Sequence, residues 1–529
     1  MLTLCGNIPG AAAQTAPAPQ AAPAPAAAPA APVRTIDIDA YDIDGNTLLP
    51  QSDVEDAVYP YLGPSRTRAD IEEARRSLER AYQAHGFQSV IVQLPPQTVA
   101  AGIVKMHVVE ASVGTVKVTG AKYTSPEDIA ARVPSLQAGK VPDFNQAQKE
   151  LAELNRGGDR QVTPALKPGH MPGTVDVDLK VNDNLPVHGS VELNNDHSPN
   201  TTPLRTTATV QYSDLWDIGH TISATAILAP QRLRDAEIFS GSYTAPLPDS
   251  PWTILLYGYT SNSDVATLGS LDVLGKGYTV GVRGILQLPA WDDVGQSLNF
   301  GFDYKHSLEH LSLKGATASN SVIDYVPLTI SYSAREQSGN SFFSGTLSLT
   351  AGIRGIGSSV AGTQNNAANA TPNFVHANID LEYLADLGSD FFSDSRITGQ
   401  VADGAMLTTE QFASGGLASV RGYLQSEAIG DDGFFASEEL RTPTFAPYTF
   451  NFVDEWRFFV FSDAARLRLV DPGVAGQATE FSQFGFGMGT RMSLFKHLAL
   501  EGLVAFPLRD GTNTKANKPY AEFSAKTEF

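Results

Sequence analysis

Phe374-Val-His-Ala-Asn-Ile-Asp-Leu-Glu-Tyr-Leu384 decides how this chain folds. In an extended backbone Val375, Ala377, Ile379, Leu381 and Tyr383 fall on one side, and His376, Asn378, Asp380 and Glu382 on the other. Phe343–Ile353 repeats the pattern, with Leu347, Leu349, Ala351 and Ile353 against Ser344, Thr346, Ser348 and Thr350. Later, Phe484, Phe486, Met488 and Met492 oppose Gly485, Gly487, Gly489 and Arg491. The last run sets Ala521, Phe523, Ala525 and Phe529 against Tyr520, Glu522, Ser524, Lys526 and Glu528. From about Val187 to Phe529 roughly 16 such runs can be placed, many of about ten residues or more, as a membrane-crossing strand requires. Soluble strands average nearer about five or six residues. A soluble sandwich would show the same period with its apolar face inward. Run length favours the opposite arrangement, an antiparallel barrel of about 16 strands with apolar residues on lipid and polar ones around water.

The composition narrows the alternatives. With 529 residues the chain exceeds one ordinary core, so several domains are expected. A net charge of −20 argues against nucleic acid or an anionic membrane surface as partner. The single cysteine, Cys5, leaves no disulfide framework and no Cys-based metal site. No uninterrupted apolar window of about 18 residues suggests a membrane helix. The ten histidines are scattered, and neither Gly-x-Ser-x-Gly nor HExxH occurs. We therefore assign no catalytic, cofactor-binding or metal-ligating residue and expect no enzyme. The paired acids Asp431-Asp432 and Glu438-Glu439 read as turn and wall residues.

Residues 1–15 read as the remnant of a secretory signal, with a weakly apolar start and the small-residue run Ala11-Ala-Ala-Gln-Thr-Ala16 but no basic n-region. Residues 16–33, almost all Ala and Pro, read as a semi-extended linker. Residues 34–111 predict a strand (34–41), a short helix with Ser52 as candidate N-cap, a longer helix over about 67–85 closed by Gly86, and two strands at 89–94 and 102–110. The order returns in 112–184: strand Val113–Gly120, a helix from Ser125-Pro126, a helix Phe144–Asn155, and strands at 161–167 and 174–181. Strand–helix–helix–strand–strand thus occurs twice with few shared side chains. The repeat resembles POTRA modules, which precede barrels of the outer-membrane assembly superfamily. It implies two such α/β domains, 34–111 and 112–184, before a barrel over 185–529.

Two motifs lie late in the chain. Leu417-Ala-Ser-Val-Arg-Gly-Tyr-Leu424 places one arginine in a loop of small and apolar residues. Phe461-Ser-Asp-Ala-Ala465 places one carboxylate inside a strand. In Glu455–Asp463 the alternation puts Glu455, Arg457, Phe461 and Asp463 on one face and Trp456, Phe458, Val460 and Ser462 on the other. Asp463 then points into the lumen, and Glu439 with Arg441 offers a second wall site. The ordered set of POTRA-like modules, barrel, Val420-Arg-Gly-Tyr423, Phe461-x-Asp463 and terminal Phe529 resembles the outer-membrane transporters of two-partner secretion, the hemolysin and filamentous-adhesin secretion type (TpsB). That resemblance implies a loop around 407–430 folded into the barrel. Its Val420, Arg421, Gly422 and Tyr423 would lock against Phe461, Asp463 and Glu439. Ala465 stands where the family prefers Gly. Phe529 would serve as the C-terminal sorting residue read by the barrel-assembly machinery.

The function so implied is a translocation pore in the bacterial outer membrane, with periplasmic POTRA domains and without cofactor. It would bind a large unfolded exoprotein and secrete it, with an activating role in the same expectation. Outer-membrane lipid and the assembly machinery are the other partners expected. An insertase would usually carry more POTRA modules, a passive porin has no use for the α/β domains, and a surface hydrolase lacks its motifs.

Overall fold

The computed structural model describes residues 35–99, 101–248, 250–263, 265–268, 271–274, 276–311, 319–357, 370, 372–471 and 478–529. The signal-like and Ala/Pro segments expected at 1–15 and 16–33 lie outside the described residues.

The first module runs β1 (Ile36–Ile38), β2 (Ala40–Asp44), α1 (Gln51–Val58), β3 (Gly63–Arg66), α2 (Arg68–Ala84), β4 (Val90–Gln93) and β5 (Ile103–Glu110). The strand expected at 34–41 is broken at Asp39. β1 pairs with β3, while β2 pairs in parallel with β5. Ser52 does not cap α1; the cap is Pro50, whose ring presets the entering backbone but donates and accepts nothing through its side chain. α2 starts on a reciprocal box in which the Thr67 side chain accepts from Asp70 N–H and the Asp70 carboxylate accepts from Thr67 N–H. Its stripe of Ile71, Ala74, Leu78 and Tyr82 packs against Val90, Val92, Val104, Met106 and Val108. The sheet order is β2-β5-β4, which leaves β2 and β4 as edges. The second set of elements is β6 (Ser112–Thr119), α3 (Pro126–Ala131), capped by the Ser125 side chain, α4 (Phe144–Leu154), β7 (Arg160–Pro168) and β8 (Thr174–Asp183), in the order β6-β8-β7.

The barrel follows. Its strands begin with β9 (Val187–Asn194), β10 (Arg205–Leu215), β11 (His220–Leu228), β12 (Glu237–Pro246) and β13 (Trp252–Ser261). A short hairpin, β14 (Val265–Leu268) and β15 (Leu271–Leu274), pairs only with itself and is not a strand of the wall. The wall resumes with β16 (Lys276–Trp291), β17 (Val294–Leu311), β18 (Ser319–Ser338), β19 (Ser341–Gly357), β20 (Val375–Gly388) and β21 (Phe391–Ala402). A loop then carries β22 (Phe412–Ser414) and β23 (Ala428–Gly430), paired only with each other. The wall ends with β24 (Asp432–Arg441), β25 (Val453–Arg468), β26 (Glu480–Leu494), β27 (Leu498–Pro507) and β28 (Tyr520–Glu528). Sixteen antiparallel strands close on themselves as β28 returns to β9.

The apolar side chains look outward. Val375, Ile379, Tyr383, Leu347, Leu349, Val460 and Met488 are exposed on the outer face, while His376, Asp394, Glu439 and Asp463 are buried on the inner one. A closed barrel satisfies every ladder hydrogen bond within itself, which is why such half-apolar strands can sit in lipid. Among the described residues no helix is long and apolar enough to cross a membrane. The closing seam is short. Five consecutive pairs run from Ser524↔Asn194 to Glu528↔Ser190, and Phe529 adds two backbone hydrogen bonds to Gly189, both 2.9 Å. The Phe529 ring lies over Gly189 so closely that a Cβ there would stand 2.2 Å from Cζ.

Just before the barrel, the buried Asp183 carboxylate accepts from the backbone N–H groups of Lys122, Tyr123 and Thr124 at 2.8–3.1 Å. Burial works to raise this carboxyl, but the N–H groups of Tyr123, Lys122 and Thr124 outweigh it and hold it below its ordinary 3.8. A carboxyl depressed by folding stabilises the fold above its unfolded value and loses that contribution as pH falls through the lowered folded value. Asp183→Ala should cost about 1–3 kcal/mol at neutral pH. Hydrogen exchange over residues 120–125 of the full chain checks this. The variant should exchange faster than the parent at pH 6, and the difference should shrink as pH falls through the lowered folded value of the parent carboxyl.

Candidate functional site: a loop locked inside the barrel

Between Ala402 and Asp432 the chain leaves the wall and enters the lumen. Its tip is Val420–Tyr423. Arg421, 6% exposed, lies flat over the Phe461 ring, its guanidinium carbon 3.6 Å from the ring centroid. Nε and Nη2 donate to the two oxygens of Asp463 at 2.8 and 2.9 Å, a fork onto one carboxylate. The Arg421 backbone N–H donates to the same group at 3.0 Å. Nη1 donates to Glu439 at 2.5 Å and Nη2 to the Ser437 hydroxyl at 3.2 Å. Asp463 is 0% exposed.

The wall is shaped to receive this side chain. β25 faces its lumen side with Phe459, Phe461 and Asp463, and β26 sets Gly489, Gly487 and Gly485 directly opposite them. A Cβ on Gly487 would stand 2.5 Å from the Phe461 ring, one on Gly489 2.4 Å from the Phe459 ring, and one on Gly485 2.5 Å from the Arg421 carbonyl oxygen. The alternating glycines are therefore recesses: two take aromatic rings and the third takes the loop backbone. Ala465 packs with Val420, Tyr423, Ala428, Phe435 and Leu467.

The rest of the tip is held as closely. Gly422 has φ +91°, and its N–H donates to Glu522 on β28 at 3.2 Å. The Tyr423 hydroxyl donates to the carbonyl of Arg509 at 2.9 Å. Val420 is fully buried. Glu439 also accepts from Arg491 at 2.5 Å and from Arg441 at 2.8 Å, so two arginines besides Arg421 share its charge. Arg491 continues to Glu501 at 2.7 Å.

The structure thus brings Val420, Arg421, Gly422, Tyr423, Phe461, Asp463 and Glu439 into one constellation; Phe529 lies apart from it on the outer face of the seam. Sequence reading missed Glu427 and Glu410 and took Asp431 only as a turn residue. Glu427 accepts from Asn513 and Thr514 N–H at 2.6 and 2.7 Å and ties the loop to residues 508–519. Asp431 accepts from Met406 N–H and the Gln411 amide, both 2.9 Å, and from Val470 N–H at 2.8 Å. Glu410 reaches Lys305, 105 positions away. No linear spacing signals these contacts; only the lumen-facing parity of Lys305 and Glu522 was available. Among the described residues, no group of three or more His, Cys, Asp or Glu is placed to hold a metal. A polar cavity of about 660 Å³ borders the loop at Leu417, Ala418 and Gln425 and is lined on the wall by Ser190, Thr207, Thr209, Thr225 and Ser240 among others.

Removing Arg421 would leave two buried carboxylates without their shared partner, a loss of about 3–5 kcal/mol. A lysine could satisfy one carboxylate but not fork onto Asp463 while reaching Glu439. In Arg421→Ala, protease should cut between 417 and 427 while the barrel keeps its heat-modifiable gel mobility, and Arg421→Lys should fall between this variant and the parent. A loop as resistant in Arg421→Ala as in the parent would show that the arginine does not hold it.

The family model for the haemolysin secretion/activation protein ShlB/FhaC/HecB matches residues 173–492, and that for the ShlB-type POTRA domain matches residues 36–111. The chain is 21% identical over 427 residues to the outer membrane transporter CdiB of Dickeya dadantii, covering 75% of this chain and 70% of the relative. The solved structure of CdiB from Escherichia coli superposes with a TM-score of 0.59 at 15% identity, over 96% of this chain and 93% of that one. BamA from Haemophilus ducreyi lacking POTRA domains 1–3 superposes at 0.54 and 13% identity, over 93% and 100%, a likeness of fold. The chain belongs to the haemolysin secretion/activation protein ShlB/FhaC/HecB family, outer-membrane transporters of two-partner secretion whose POTRA domains lie in the periplasm.

Proposed function

We propose that this chain captures an unfolded exoprotein on its periplasmic modules and passes it through the barrel once the inward loop gives way. The observation that carries the reading is the buried pairing of Arg421 with Asp463 and Glu439. A desolvated ion pair is a poor source of stability compared with apolar packing. A loop that only filled space would be held as well by leucine. A charged lock has two defined states, engaged and released, and a pore that must stay shut between cargoes needs both.

The modules would divide at 34–111 and 112–184, ahead of the barrel at 185–529. In the first, β2 and β4 are sheet edges. An extended segment can add to such an edge through main-chain hydrogen bonds that tolerate many sequences. The cargo is then a large secreted protein, recognised before it folds. Folding outside the cell would bias its passage, because a folded chain cannot slide back. Activation of the cargo would follow from the same passage. Val420, Arg421, Gly422 and Tyr423 form the moving side of the lock, and Phe461, Asp463 and Glu439 the fixed side.

Arg421→Ala should assemble into the outer membrane at normal levels and lower secretion of the cognate exoprotein by about tenfold or more, the equivalent of roughly 1.4 kcal/mol. The readout is exoprotein in the medium against barrel in the membrane. Full secretion by an assembled Arg421→Ala barrel would remove the lock from the mechanism. Failure of the parent chain to export any protein carrying an N-terminal secretion domain would remove the cargo reading itself.

A further inference from the structure

Arg421 holds the tip of the inward loop, but a second buried cluster holds its root, and no part of the lock uses it. Thr408–Glu410 forms a single tight turn beside the wall. The Glu410 carboxylate, 7% exposed, accepts from Lys305 Nζ at 2.5 Å and from the Tyr325 hydroxyl at 2.6 Å. Its other oxygen faces His376 Nε2 at 3.4 Å, and its backbone carbonyl accepts from the Gln400 amide at 2.9 Å. These four partners come from β17, β18, β20 and β21, so one loop residue is gripped from four wall strands. Tyr325 packs with Phe374, Met406 and Leu407 beside it, which removes the cluster from water.

The two limbs of the loop are also tied to each other here. β22 and β23 pair over three residues, Phe412↔Gly430 to Ser414↔Ala428. Asp431, on the returning limb, accepts from Met406 N–H and the Gln411 amide on the outgoing limb. Directly beyond this ladder stand Gly415 and Gly416, with φ of +114° and +100°. Conformations of that kind are open to glycine and strained for other residues, so the backbone can change direction there. The loop is thus a short closed stem, a glycine pair, and a tip.

We infer that Glu410, acting through Lys305 and Tyr325, fixes the stem to the wall so that release of Arg421 moves only residues 415–427. Glu410 is a positioning residue: it decides which part of the loop clears the lumen and where the tip returns. The inference rests on the reading of the loop as a gate. With the stem held, an opened tip stays tethered within reach of Asp463 and relocks after each passage. With the stem free, the whole loop leaves its place and the pore has no defined closed state.

Purified full-length chain in planar bilayers tests this through ion conductance. Arg421→Ala alone should give openings of one amplitude that return to the closed level, because the tethered tip can still dock through Gly422 on Glu522 and Tyr423 on Arg509. Arg421→Ala with Glu410→Gln should give openings at least about twofold larger that rarely return, since the desolvated anchor is lost as well. Adding the exchanged pair Lys305→Glu and Glu410→Lys to Arg421→Ala should bring back the single returning amplitude. Equal amplitudes with and without Glu410→Gln would overturn the inference, as would an exchanged pair that behaves like Glu410→Gln. Should the combined variants not reach the heat-modifiable folded form, hydrogen exchange on Glu410→Gln alone decides: about tenfold faster exchange in 405–414 and 428–431 with residues 417–424 unchanged supports it, and an unchanged stem overturns it. Neither measurement involves an exoprotein. A chain that passes both and secretes nothing would refute the proposed cargo function and leave the stem in place.

Discussion

The structure turns on one guanidinium placed between two carboxylates in the middle of a barrel. Arg421 lies over Phe461, forks onto Asp463 and reaches Glu439, and all four side chains are withdrawn from water. Bringing these charges out of water is costly, and the cost is met only because every donor of the fork has an acceptor and the tip backbone donates as well. The surrounding architecture follows from that demand. A loop must cross the lumen to bring Arg421 there, and the wall must be hollowed to let it approach.

The hollowing is done by sequence alternation turned to an unusual use. In most of the barrel the inward positions hold polar residues that meet water. On β26 they hold Gly485, Gly487 and Gly489, and the neighbouring strand fills the space with Phe459 and Phe461. Aromatic rings inside a water-filled barrel would be a liability if exposed. Here they are sealed by the loop and carry arginines on their faces, Arg421 on Phe461 and Arg491 on Phe459. The wall and the loop are each incomplete without the other, because the loop packs on the rings of the wall and the wall supplies the acceptors for Arg421.

The periplasmic part works by different physics. Its first module is a small apolar core, with α2 laid on a three-stranded sheet, and its stability comes from ordinary burial. What it offers outward are strand edges, and main-chain recognition at such edges reads extension rather than sequence. The barrel encloses a polar space lined by serine and threonine hydroxyls together with charged side chains such as Glu192, Arg396 and Lys526.

The sequence by itself determined the period and the length of the strand runs, and it was the length that favoured a barrel over a sandwich of the same period. Val375 to Tyr383 could not lie in a strand without placing every second residue on the apolar side, and strands of that length have few homes other than a barrel. It also placed Asp463 on the polar face and set Arg421 in a loop, because both depend on immediate neighbours. Caps depended on finer geometry: Thr67 and Ser125 cap helices whose starts were legible although their capping was not, and Pro50 took the place expected of Ser52. The break at Asp39 was invisible because it exists only to let β1 and β2 pair with different strands. Only the tertiary structure decided which residues meet across the lumen. Glu410 finds Lys305 across 105 positions, and Gly422 finds Glu522 across 100, because barrel closure and register bring them together. Period is a property of the backbone and its next few residues; partnership across a closed sheet is set by the register of every strand between.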